Sequence, residues 1–228
     1  QVLVIAAHPD DEVLGCGGSI ARHVDAGDSV TVAILAQGIA SRGGAEVENA
    51  IAQLREEARR ANQILGVAAL EFLDFPDNQM DSVTRLNVIQ AVEALITQIQ
   101  PNMVYTHWAG DVNIDHRIIH DAVVCACRPQ PGHPVESLLF FEVASSTEWQ
   151  PPYSAPPFLP NWFVDITQSL ERKLAAMAAY SGELRSWPHS RSLEALNSQA
   201  RWRGSSVGCE AAEAFVLGRH RAIAGSLL

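Results

Sequence analysis

Six consecutive apolar residues, 2–7, run directly into His8-Pro9-Asp10-Asp11-Glu12. An apolar run without alternation suits a strand buried on both faces, as in a parallel sheet covered by helices. Such a strand delivers an imidazole and three carboxylates to its carboxyl end, where open α/β sheets place their ligand crevices. Val13-Leu14-Gly15-Cys16-Gly17-Gly18-Ser19-Ile20 follows as a glycine-eased opening into a helix. Three acids packed together with no lysine nearby repel one another, and a cation relieves that repulsion. A polar turn with acids at a helix N-terminus accounts for Glu12. It leaves His8 and the adjacent pair Asp10-Asp11 unexplained.

The same alternation continues down the chain. Helices are expected near 14–26, 46–65, 86–99 and 115–128, and strands at 29–36, 69–72 and 103–106. This order implies an α/β fold: a Rossmann-like, mostly parallel sheet with helices on both faces and a metal site at the carboxyl ends of its strands. Further strands are expected at 138–143 and 162–166, separated by a proline-rich loop at 151–160 that suits a rim or a lid. Helices are expected near 168–180, 193–203 and 210–219. Nothing marks a linker, so residues 1–228 read as a single domain. The run Gly15-Cys16-Gly17-Gly18 lacks the full G-x-G-x-x-G pattern of a dinucleotide loop and is better explained by tight helix–strand packing.

Composition narrows the function. With 16 basic and 26 acidic residues the formal net charge is −10, and no basic stripe marks a nucleic-acid partner. No apolar stretch approaches the roughly 20 residues of a membrane span, and the N-terminal run lacks the features of a signal peptide. Of Cys16, Cys125, Cys127 and Cys209, the pair Cys125 and Cys127 lacks metal-pair spacing and reads as packed thiols, and the cysteine usage as a whole suits a reducing cytoplasm. Apolar residues in the 151–160 loop (Tyr153, Phe158, Leu159) suit a homo-oligomer contact and a lid equally.

A metal site needs further ligands. The loop after the 103–106 strand offers His107, Asp111, Asn113, Asp115, His116 and His120, again at a strand's carboxyl end. His116 and His120, four apart, have the spacing of two histidines sharing a helix face.

On these motifs the chain resembles the LmbE/PIG-L family of zinc-dependent N-acetylglucosamine deacetylases. His-Pro-Asp-Asp-Glu matches the family's strand-end pattern unchanged, and Asp115-His116 matches its Asp-His element. Ser41-Arg42-Gly43, Arg55-Glu56-Glu57, Phe75-Pro76-Asp77, His189, Arg191-Ser192 and Ala212-Glu213-Ala214-Phe215 stand in the family's order. The resemblance implies Zn2+ held by His8, Asp11 and His116, Asp10 as general base, Glu12 as a helix-start or supporting acid, and His120 outside the ligand set. It implies a small-molecule partner, an N-acetylated sugar or sugar conjugate. Many members carry a histidine where this chain has Asn113. An asparagine donates a hydrogen bond to an oxyanion but supplies no proton. The acid role then passes to Asp10 or to another histidine, with His189 the candidate and a surface position its alternative.

Arg42 and Arg191 are candidate clamps for an anionic group on the substrate, Trp108 is a candidate for stacking on a sugar, and Asp77 belongs to a loop that the resemblance places near the site. The alternatives are a metal-dependent amidase acting on a non-sugar or thiol-conjugate amide, and a catalytically silent metal- or nucleotide-binding protein.

Overall fold

The structure is a computed structural model that describes residues 1–38 and 47–222. Its centre is a seven-stranded sheet in the order β3-β2-β1-β4-β5-β7-β6. The strands are β1 (Val2–Ala6), β2 (Val30–Ala36), β3 (Ala69–Phe75), β4 (Met103–His107), β5 (Ser137–Phe141), β6 (Trp162–Asp165) and β7 (Ala212–His220). The first five pair in parallel, with Val4 opposite both Val32 and Tyr105. β7 runs antiparallel between β5 and β6.

The connecting helices are α1 (Asp11–Asp25), α2 (Val47–Leu65), α3 (Arg85–Ile99), α4 (Ile114–Ala126), α5 (Leu170–Ala178) and α6 (Leu193–Ser205). Strand β1 is buried on both faces, as its unbroken apolar run requires. Val2 and Val4 join one core with Val13, Ile20, Leu54 and Met177. Leu3 and Ile5 join the other with Val88, Val92, Ile119 and Val123. From β1 the chain winds outward through β2 to β3, then crosses back to β4 on the opposite side of β1. That reversal makes the carboxyl ends of β1 and β4 a topological switch point. Among the described residues no helix is long and apolar enough to cross a membrane.

Helix α1 bends at Cys16, whose φ/ψ of −148°/22° are not helical. The glycines around the bend allow close packing. A Cβ on Gly15 would lie 2.3 Å from the Phe141 ring, and one on Gly18 would lie 2.8 Å from Ile166. The backbone N–H groups of Gly18 and Ser19 donate to the Glu213 carboxylate at 2.9 and 2.7 Å. Lys173 Nζ donates to the same carboxylate at 2.5 Å and to Leu14 O at 2.9 Å. Lys173 and Glu213 are both buried, so this pair ties α1, α5 and β7 together at the bend.

Glu213 also marks the main departure from the sequence expectation, because 210–219 is not a helix. Its Glu/Ala-rich start favours helix weakly, and tertiary context overrides such propensities. As β7 the segment satisfies its backbone groups against β5 and β6 at once and buries Ala212, Glu213, Ala214 and Phe215.

Lys173→Met leaves the Glu213 carboxylate buried without its ammonium. Denaturant unfolding should show a loss of about 3–5 kcal/mol, with part of it recovered when Glu213→Gln is added. An unchanged midpoint would show that the pair does not brace the bend.

Candidate metal centre

Asp11 is the focus of the site. The β1 strand ends at Ala6, and the chain turns through His8-Pro9-Asp10 into the first turn of α1. The backbone N–H of His8 donates to Asp11 Oδ2 at 2.8 Å. His8 Nδ1 lies 3.3 Å from that oxygen and His116 Nε2 lies 3.2 Å from it. His8, Asp11 and His116 thus offer three ligand atoms within 4.8 Å of one another.

Each imidazole has a carboxylate on its far side. His8 Nε2 is 3.0 Å from Asp115 Oδ2 and 3.3 Å from Asp77 Oδ1. His116 Nδ1 is 3.2 Å from Asp111 Oδ1. Both supporting acids are held firmly. Asp115 accepts the N–H groups of Asn78 and Met80 at 2.7 and 3.0 Å. Asp111 accepts the Asn113 N–H at 2.8 Å, the Thr147 hydroxyl at 2.7 Å and the Ser146 hydroxyl. Carboxylates behind metal-binding histidines fix ring orientation and raise ligand basicity. The ring of His107 stacks on His116 with centroids 3.9 Å apart, while its Nε2 accepts the Ala7 N–H at 2.8 Å.

The donor set fits a divalent cation. His116 is buried, and neither of its ring nitrogens closes a hydrogen bond of normal geometry. Burial alone would lower the pKa of His8, yet Asp11 and Asp115 raise it to about 10. Burial would likewise lower that of His116, which Asp11 and Asp111 raise to about 9. Burial would raise Asp11, but the neighbouring imidazoles, His116 foremost, hold it well below its usual range. The pocket therefore draws positive charge to its centre, and two imidazoles and a carboxylate are a donor set that zinc accepts.

Asp10 sits beside this cluster in a left-handed backbone conformation, φ 106°, which costs energy for a non-glycine residue. Burial and the adjacent Asp11 push its carboxyl well above the usual range, against the opposing pull of Arg191. Arg191 Nη1 bridges Asp10 Oδ2 and Glu183 Oε2, each at 3.0 Å. Glu12 is fully buried, accepting from Asn62 Nδ2 at 2.8 Å and the Tyr180 hydroxyl at 2.6 Å. Burial carries its pKa to about 7. Glu12 therefore anchors α1 to α2 and the end of α5.

His8, Asp10, Asp11, Asp77, Asn113, His116 and Arg191 all line one cavity of about 140 Å³. Asn113 caps α4: its Oδ1 accepts the Asp115 N–H at 2.9 Å, and its Nδ2 donates to Asn78 Oδ1 at 3.0 Å. Two expected residues lie elsewhere. The Trp108 indole N–H donates to Pro156 O at 3.1 Å, tethering the 151–160 loop, and Trp108 is not among the cavity's lining residues. Nor is His189, whose Nδ1 accepts the Arg191 N–H at 3.1 Å. His120 Nδ1 donates to His107 O at 2.9 Å, outside the ligand cluster. Arg42 and its neighbours Ser41 and Gly43 lie outside the described residues. Glu183 went unnoticed in the sequence because a lone acid in a polar loop carries no signal until its partner Arg191 is folded against it.

Residues 3–127 match the family described as PIG-L: GlcNAc-PI de-N-acetylase. The chain is 34% identical to the uncharacterized deacetylase YaiS of Escherichia coli, over 77% of this chain and 88% of that protein. It is 29% identical to the diacetylchitobiose deacetylase of Thermococcus kodakarensis, over 80% of this chain and 70% of that one. It is also 29% identical to the 4-oxalmesaconate hydratase of Pseudomonas putida, over 83% and 76%. The solved structure of the conserved protein TT1542 from Thermus thermophilus superposes with a TM-score of 0.75 at 27% identity, covering 100% of this chain and 99% of that one.

His8→Ala and His116→Ala should fail to retain added divalent metal, whereas His120→Ala should retain it. Asp111→Ala should weaken zinc binding about 10–100-fold. Competition with a chromophoric chelator measures all four; zinc retained by His116→Ala would reassign the third ligand.

Proposed function

The chain belongs to the PIG-L family, and on that premise we propose that it is a zinc-dependent hydrolase that removes the acetyl group from an N-acetylated amino sugar or a conjugate of one. The observation that carries this reading is the convergence of His8, Asp11 and His116 within 4.8 Å, with Asp10 beside them in the same cavity. His8 Nδ1, Asp11 and His116 Nε2 would hold the metal, with Asp115 and Asp111 orienting the two rings. When bound there, Zn2+ supplies Lewis acidity that acidifies water and polarises an acyl carbonyl. Other divalent transition metals suit the same donors.

The rest of the chemistry belongs to the chain's own side chains. Arg191 holds Asp10 Oδ2, which leaves Oδ1 to take the proton of the attacking water. A carboxyl whose pKa lies above its ordinary value holds that proton long enough to pass it to the departing amine. Asp10 therefore serves both proton transfers, since Asn113 supplies no proton and His189 does not line the cavity. Among the described residues one hydrogen of Asn113 Nδ2 is engaged by Asn78, and its second would serve the oxyanion. The products are acetate and a free amino sugar.

Acetate release from a panel of free and linked N-acetylated sugars, measured on the zinc-loaded protein, tests the reading. Asp10→Asn should keep its metal and lose at least about 100-fold in kcat. Full turnover in that variant would remove Asp10 as the base. A zinc-loaded wild-type protein that releases no acetate but hydrates an unsaturated dicarboxylic acid would align it instead with the activity named for the Pseudomonas relative.

A further inference from the structure

Three consecutive hydroxyl residues, Ser145, Ser146 and Thr147, stand in the turn that follows β5. β5 pairs in parallel with β4, with Phe141 opposite His107. The turn therefore leaves the sheet at the same end as the metal cluster.

Two of the three hydroxyls serve that cluster. Ser146 and Thr147 both donate to Asp111, the carboxylate 3.2 Å from His116 Nδ1. The third does not. Ser145 lines the cavity beside Val143, Ala144 and Ser146. Its backbone N–H donates to Glu148 Oε1 at 2.7 Å, but among the described residues its hydroxyl has no hydrogen-bond partner.

Ser145 is also held where a side chain is disfavoured. Its φ is 66°, in the left-handed region that glycine enters freely and other residues enter at an energetic cost. Bonds on both sides of it fix the turn. Glu148 accepts the Ser146 N–H at 3.3 Å, and the Val143 N–H donates to Thr147 Oγ1 at 2.8 Å. The shape of this turn by itself is served best by glycine. Serine adds one hydroxyl, on the cavity wall, which no described protein group uses. Backbone strain maintained at a functional cavity points to a role for the residue that bears it.

A hydroxyl both donates and accepts, so it complements another hydroxyl. The cavity encloses about 140 Å³, well under the roughly 300 Å³ at which pockets begin to engulf a drug-sized ligand. It therefore takes the reacting amide and the groups next to it. In an acetamido sugar those neighbours are hydroxyls on the ring carbons beside the amide-bearing one. A hydroxyl already fixed in place binds such a group with little ordering cost.

We propose that Ser145 is a specificity-determining residue, whose hydroxyl hydrogen-bonds the substrate hydroxyl vicinal to the amide. The cavity thereby selects acetylated 1,2-amino alcohols over acetylated amines that lack the neighbouring hydroxyl. The proposal rests on the deacetylase reading and adds to it the group that reads the substrate beside the scissile bond.

Two amides that differ by that one hydroxyl, trans-2-acetamidocyclohexanol and N-cyclohexylacetamide, test it. Titration calorimetry uses the zinc-loaded full chain carrying Asp10→Asn, which leaves the amide intact. The hydroxylated amide should bind about tenfold more tightly. Adding Ser145→Ala should bring the ratio close to one. Ser145→Gly should do the same and, being suited to the left-handed backbone, should leave the thermal midpoint no lower. A ratio near one with Ser145 present, a ratio that survives either substitution, or no binding of either amide would overturn the proposal. A Ser145→Gly chain that loses the ratio and also melts lower would assign the loss to the turn and overturn it too. Acetate release by the wild-type chain is read separately. A hydroxyl preference without acetate release defeats the deacetylase reading and leaves the role of Ser145 standing. Acetate release without the preference defeats the role of Ser145 alone.

Discussion

The Asp11 carboxylate is the point on which the site depends. It receives the His8 N–H and lies within 3.3 Å of one nitrogen from each of His8 and His116. Around it stand Asp10, Asp77, Asp111 and Asp115, all buried. Charges of one sign in a weakly polar interior are tolerable only when each is met by donors or by opposite charge. Backbone N–H groups quiet Asp115, hydroxyls quiet Asp111, and Arg191 quiets Asp10. Asp11 itself is met by the His8 N–H and by one nitrogen of each flanking imidazole, and this crowding of carboxylates around two histidines is why a divalent cation suits the position.

That concentration requires α1 to begin at a set place and angle. Glu12 ties its first turn to Asn62 and Tyr180, while Glu213 and Lys173 close its bend at Cys16. The small residues Gly15 and Gly18 let Phe141 and Ile166 approach the same helix. The start of α1 that follows the His8–Asp11 turn is thus held by a buried carboxyl group on each side of its bend. The left-handed backbone of Asp10 lies just ahead of them, held by its N–H to Glu12 and by Arg191 on its carboxylate.

Much of this was legible before folding. The unbroken apolar run 2–7 specified a strand covered on both faces, because only a sheet with helices on each side accepts apolar residues at every position. The crowd of acids after it specified a charge that needed an answer. The order of strands and helices then placed His8 and His116 at neighbouring strand ends, since the crossover back to β4 brings them together. The 210–219 segment was misread as a helix because its local preference is weak and its true partners, β5 and β6, lie far away in sequence.

By itself, then, the sequence determined the parallel sheet, the end of it that carries the chemistry, and the residue types suited to hold a metal. These follow from local hydrophobic pattern and from charge crowded within a few residues. Only the tertiary structure decided which acid stands behind which histidine, that Glu183 shares Arg191 with Asp10, that Trp108 tethers a loop, and that Trp149 packs edge-on against His189. Each of those is a contact between distant segments, and its existence depends on distances that no local pattern encodes.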